Sequence, residues 1–170
     1  MENVSTVALS MIREFGVSID KVFDAWTKPE MMRQWLFTLK ATNKVAVNEP
    51  VVGGQWEIVD HRQGKDYRAV GEYLLVDAPH KLVLTFMMPE LSPVGYEDLF
   101  DTLTVELKAN DEGTSMIFTQ EIHVIHEPEW TAVDIEKAEG EWLTSTEQGW
   151  HYMFLGLKEL LETGSISYTG

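Results

Sequence analysis

The spacing of hydrophobic positions changes several times along this chain, and each change marks an element. From Ser5 to Phe15 apolar and polar residues alternate imperfectly, the pattern of a strand with one buried face. Gly16 breaks the alternation. With Ser18 as N-cap, Val22, Phe23 and Trp26 then fall on one face of a short helix. Pro29 suits the first turn of a second helix, in which Met31, Met32, Trp35 and Leu36 keep helical spacing.

Strand periodicity returns after that, punctuated by turn residues. The predicted strands are Thr42 to Asn48, Gln55 to Asp60, Tyr67 to Val76, Leu82 to Met88, Leu99 to Lys108 and Ser115 to Val124. Between them lie Pro50 with Gly53-Gly54, the Gln63-Gly64-Lys65 turn, Ala78-Pro79-His80, and a longer loop holding Pro89, Pro93 and Gly95. Asn110-Asp111-Glu112-Gly113 is a hairpin signal. Pro128 ends the strand region, and Glu129 to Glu141 reads as a loop with some helix. A final helix is predicted from about Thr146 to Glu162, with Trp150, Met153, Phe154, Leu157 and Leu161 on one face and Gly164 as its stop.

Strands in hairpin succession with helices segregated from them indicate an α+β fold, an antiparallel sheet covered on one face. A curved sheet of about seven strands is wider than one helix can fill, so the expected architecture encloses an apolar cavity. One domain spanning residues 1–170 is expected, since the length is ordinary for a single core.

Composition narrows the function. A formal charge of −15, with acidic residues spread along the chain, argues against a nucleic-acid partner. No apolar run approaches the roughly 18 residues of a membrane span. There is no basic segment followed by an apolar run near Met1, and there are no cysteines, so a cytoplasmic protein without disulfides or thiolate metal sites is expected.

Four segments carry a family resemblance: Val22-Phe23-Asp24-Ala25-Trp26-Thr27-Lys28-Pro29-Glu30 with Trp35; Gly53-Gly54-Gln55-Trp56; Gly71-Glu72-Tyr73 through Pro79-His80-Lys81-Leu82 to Thr85-Phe86; and Gly113-Thr114 with Gly149-Trp150. In this order the chain resembles the START-like, Bet v 1-like (SRPBCC) superfamily with its helix-grip fold. Within it, the chain most resembles the branch of homologues of the activator of heat-shock-protein-90 ATPase. The likeness runs from about Thr6 to Leu161. It implies a long helix gripped by a curved sheet, and a superfamily whose members include lipid and hormone carriers, cyclases and cochaperone domains. Phe86 stands where many relatives have Trp, which reshapes the pocket wall and keeps it apolar.

If the resemblance holds, strand alternation turns Trp56, Ile58, Tyr73, Leu84, Phe86, Phe118, Gln120 and Ile122 toward the long helix. Trp35, Trp150, Met153, Phe154 and Leu157 would close the other side. The same positions read equally as plain core packing. Gln120 stands out, because a polar group on an apolar face must find a hydrogen bond. Tyr73 is its candidate partner, or offers its hydroxyl to a ligand.

The remaining clusters suggest no chemistry. His123 and His126 straddle a strand end with no third ligand fixed by spacing, so no metal is expected. His151 is expected on the polar side of the last helix, in reach of Glu147. Glu57 is expected to face solvent opposite Trp56. No phosphate-binding loop, dinucleotide fingerprint or nucleophile elbow is present, and no catalytic set or cofactor is predicted. The leading expectation is a binder of a small hydrophobic molecule; the alternatives are a cyclase- or hydrolase-type enzyme using the same cavity, and a cochaperone-like protein-interaction module.

Overall fold

In a computed structural model of the chain, residues 3–38 and 43–167 are described. Thr42, the first residue of one predicted strand, lies outside them. The elements run β1 (Val4–Phe15), α1 (Ile19–Thr27), α2 (Pro29–Trp35), β2 (Asn43–Asn48), β3 (Gln55–Arg62), β4 (Lys65–Asp77), β5 (Lys81–Phe86), a 3-10 turn (Pro89–Leu91), β6 (Asp101–Asn110), β7 (Gly113–Ile125) and α3 (Ala132–Thr163). The strands form one antiparallel seven-stranded sheet in the order β1-β7-β6-β5-β4-β3-β2. The α+β helix-grip architecture expected from the sequence is what is found.

The connections explain this order. Hairpins join β2 through β7 in sequence, and the opening strand β1 pairs with the last one, β7, over their full lengths. The helices α1 and α2 thus bridge from one sheet edge to the other, beneath α3. Gln63 and Gly64 both have positive φ, +52° and +77°, so the β3–β4 turn is tighter than expected and Lys65 already belongs to β4.

Strand β6 starts at Asp101 and not at Leu99, other strand ends shift by a residue or two, and two of the boundaries that differ have a physical reason. Strand β5 stops at Phe86; beyond it Met87 makes only an isolated bridge to Val70, because the β4–β5 register shifts between Tyr73 and Leu75. The last helix begins at Ala132, so most of the segment read as loop with some helix is its N-terminal half. Its start is fixed by a capping box in which Thr131 Oγ1 accepts from the Asp134 N–H and the Asp134 carboxylate accepts from the Thr131 N–H. Gly164, at φ +94°, closes the other end in the left-handed conformation.

Between sheet and helix lies one core. It takes Leu9 and Met11 from β1, Val22, Phe23 and Trp26 from α1, and Met32 and Trp35 from α2. Inward residues of β3 to β7 complete the floor, and Trp150, Phe154, Leu157 and Leu160 of α3 the roof.

Candidate functional site

Alternation along the strands turns the predicted residues inward. Trp56, Ile58, Tyr73, Leu84, Phe118, Gln120, Ile122, Trp35, Trp150, Phe154 and Leu157 are all buried, while Phe86 and Met153 are half-buried at the edge of the set. The apolar ones among them belong to one core. Glu57 points away from Trp56 but is half-buried.

Aromatic rings, not empty space, fill the gap between sheet and helix. Phe118 lies 4.4 Å from Trp150 and 5.2 Å from Phe154 between ring centroids. Trp26 of α1 stacks on Phe118 at 6.1 Å and meets Trp35 edge-on at 4.8 Å. Such offset and edge-on contacts add about 0.5–1.5 kcal/mol each beyond the area they bury. Where the sequence implied a cavity, the six tryptophans of the chain include four, Trp26, Trp35, Trp56 and Trp150, that occupy its volume.

A second ring group sits beside the first. Trp56 pairs with Gly71 across β3 and β4, and its indole N–H donates to the Thr85 carbonyl at 3.1 Å. The indole therefore lies across the bare backbone of Gly71. A Cβ there would meet Thr85 O at 1.8 Å and Trp56 Nε1 at 2.6 Å, so only glycine fits. Trp56 and Phe86 are nearly parallel, 12° apart with centroids at 6.4 Å. Phe37, from the loop after α2, stacks on both, at 4.8 Å and 6° on Phe86 and at 5.8 Å and 5° on Trp56. Trp150 meets Phe37 edge-on at 5.5 Å and so joins the two ring groups.

Polar groups enter this interior at few points. Gln120 does not bond Tyr73. Its Oε1 accepts from Trp150 Nε1 at 2.7 Å and its Nε2 donates to Asp101 Oδ2 at 2.8 Å. The other Asp101 oxygen accepts from the His123 backbone N–H at 3.0 Å and lies 3.2 Å from His123 Nδ1. A chain of polar contacts thus leads from the core to the sheet margin. Tyr73 donates instead to Asn48 Oδ1 at 2.5 Å, and Asn48 Nδ2 donates to the Thr27 carbonyl at 2.6 Å. Burial pushes the Tyr73 phenol well above its ordinary range. One buried donor is left over: Trp26 Nε1 has no hydrogen-bond partner among the described residues.

The other candidates disperse. His126 pairs through Nε2 with Ser5 Oγ at 2.9 Å, away from His123, and the Ser5 hydroxyl donates to Glu139 at 2.6 Å. His151 meets Arg13, at 3.3 Å, on the exposed side of α3. Clefts on the described surface flank the ring groups at two places. One, of about 320 Å³, lies over the gap in the sheet at Gly71 and Thr85; the other, of about 360 Å³, lies between α2 and α3 beside Trp35, Thr38 and Met153.

Sequence reasoning missed Phe37, Trp26 and Asp101 as parts of the site. Asp101 had a usable signal, since it shares parity with the inward-facing Leu103 and Val105 of β6. Trp26 was visible as an apolar helix position. For Phe37 no local signal exists, as it lies outside every periodic segment.

Solved structures share the fold over nearly the whole chain. A Staphylococcus aureus protein of unknown function is 25% identical, covering 95% of this chain and 96% of its own, with a TM-score of 0.83. Proteins from Rhodobacter sphaeroides and Cytophaga hutchinsonii, 18% and 22% identical, each cover 93% of this chain, and 97% and 95% of their own lengths; both have TM-scores of 0.68. No curated protein matches the chain. The profile of the Activator of Hsp90 ATPase homolog 1-like proteins matches residues 16–162, from the turn after β1 almost to the end of α3, and the chain belongs to that family.

Proposed function

We propose that this protein binds a small hydrophobic molecule among the aromatic rings between sheet and α3. The observation that carries the reading is the indole N–H of Trp26, which has no partner among the described residues. That tryptophan is 1% exposed, and a buried donor without an acceptor costs about 1–3 kcal/mol. An acceptor atom on a bound molecule recovers that cost, in a setting where the surrounding rings supply the apolar contacts. Gln120 is a positioning element of this site through Trp150, not a ligand contact on its own. Among the described residues the two carboxylates closest to this interior by position are both engaged, Asp101 by Gln120 and His123 and Asp60 by Arg62 at 2.8 Å. Binding is therefore favoured over a cyclase- or hydrolase-type reaction, and the cytoplasm fits a chain without cysteines.

An aminonaphthalene sulfonate dye tests this directly. It should bind the folded protein with enhanced fluorescence, and Phe118→Trp or Leu84→Trp should abolish that binding with the circular dichroism unchanged. Dye binding insensitive to both substitutions would place the site elsewhere.

A protein-partner reading has one observation of its own. Trp142, Tyr152 and Leu155 of α3 are each at least half exposed, and the family takes its name from an activator of a chaperone ATPase.

A further inference from the structure

The ring of Phe37 is held in an uncommon way. Its backbone has φ +57°, in the left-handed region that side chains other than those of Gly, Asn and Asp seldom adopt. Its N–H has a thioether as acceptor, Met153 Sδ at 3.1 Å, which is a weak one. Local backbone energetics therefore work against the observed position, and stacking on other rings works for it. Strain of this kind, kept by surrounding contacts, gathers at clamps and switches.

The surface under Phe37 is built more firmly than Phe37 itself. The Trp56 indole is fixed by its bond to the Thr85 carbonyl and by the absence of a side chain at Gly71, and Phe86 continues the surface nearly in parallel. The result is an apolar platform of two nearly parallel rings, one from β3 and one from β5. A flat six-membered ring already lies on it within 6° of parallel, and that ring comes from a loop rather than from the sheet or α3. The cleft between α2 and α3 reaches Thr38 and Met153, the residue following Phe37 and the side chain holding its N–H.

Resting on the hydrophobic-ligand reading above, we propose that Phe37 is a removable plug. It occupies the place of a flat aromatic ring of the ligand, which stacks on the Trp56–Phe86 platform when Phe37 leaves. The ligand class is thus a planar aromatic compound. A saturated ring system of the same size lacks the flat face and the ring quadrupole that parallel stacking uses.

Isothermal titration with 2-naphthol, and with its saturated counterpart decahydro-2-naphthol, tests this on the full chain. Phe37→Ala removes the plug; Phe37→Gly does so while also accepting φ +57° without strain. Each folded variant should bind 2-naphthol at least tenfold tighter than the unsubstituted protein, and should bind decahydro-2-naphthol at least tenfold more weakly than 2-naphthol. Equal affinity for 2-naphthol with and without Phe37 overturns the plug, as does equal affinity for the two probes. Failure of both variants to fold, seen by circular dichroism, also overturns it, because a removable plug is not essential to the fold. If 2-naphthol binding ignores Phe37 but is lost in Phe118→Trp, the plug fails and the ligand site stands. If 2-naphthol and the sulfonate dye bind none of these proteins, both readings fail.

Discussion

Replacing Gln120 by Leu keeps the approximate volume and removes both of its hydrogen bonds. The side chain is 2% exposed, so nothing but protein can replace them. The indole N–H of Trp150, itself 3% exposed, loses its acceptor at 2.7 Å, at a cost of about 1–3 kcal/mol. Asp101 loses a charge-assisted bond, normally worth about 1.5–3 kcal/mol. Its side chain is 19% exposed and can recruit water, so the lower end applies there. The added apolar surface of Leu offsets about 1 kcal/mol. The net expectation is a loss of about 1.5–3.5 kcal/mol. In urea, with a slope of about 2 kcal/mol/M, that lowers the unfolding midpoint by about 1–2 M. The control is the same substitution in a Trp150→Phe background, where no indole N–H remains to be orphaned. There Gln120→Leu should cost about 1–3 kcal/mol less, and the difference measures the Trp150–Gln120 bond. Equal costs in the two backgrounds, or a loss under about 1 kcal/mol in the first, would refute the polar chain from core to sheet margin.

Gly71→Ala should destabilise by about 2–5 kcal/mol, combining overpacking with loss of the Trp56–Thr85 hydrogen bond; chemical denaturation followed by tryptophan fluorescence reads it, and a cost below about 1 kcal/mol would show that β4 and β5 separate freely at the gap. Glu162 accepts from the Lys158 ammonium and from the Gly16 backbone N–H, and these bonds hold its pKa below the ordinary 4.5. Its contribution is therefore complete above about pH 4.5 and is lost as pH falls through the depressed folded value, so Glu162→Gln should flatten the acid limb of a stability profile taken between pH 6 and pH 2.

What the sequence made legible is what local periodicity carries. Alternation in β3, β5 and β7 turned Trp56, Leu84, Phe118 and Ile122 inward, and that parity needs no knowledge of neighbouring strands. The partner of Gln120 required more. Asp101 comes within reach only because Leu103 pairs with Gln120 and Thr102 with Glu121, which sets β6 against β7, and Trp150 only through the rotation of α3 about its axis. Tyr73 was the natural guess from residue type alone, yet its own partner, Asn48, is supplied by β2, two strands away in the sheet. Phe37 was hidden for a different reason: its position contradicts the local preferences on which sequence reading depends.

The missing half of α3 shows how amphipathicity can mislead about helix length. Helical periodicity in sequence reports burial, not hydrogen bonding along the backbone. The buried residues of α3 are Trp150, Phe154, Leu157 and Leu160, all in its C-terminal half, and their spacing revealed that half alone. Earlier in the helix Ile135, Ala138 and Leu143 are only half-buried, while Val133 is 73% exposed and Trp142 53% exposed, so the apolar residues there are split between two faces and the stripe is weak. Gly140 has no neighbour that a side chain would meet, and nothing in packing requires glycine at that point. The signal that did exist was at the end rather than along the length. Thr131 and Asp134, three residues apart, form the reciprocal cap that satisfies the first turn, and helix propagation from that nucleus to the packed half needs only the partial burial of Ala138 and Leu143 between them.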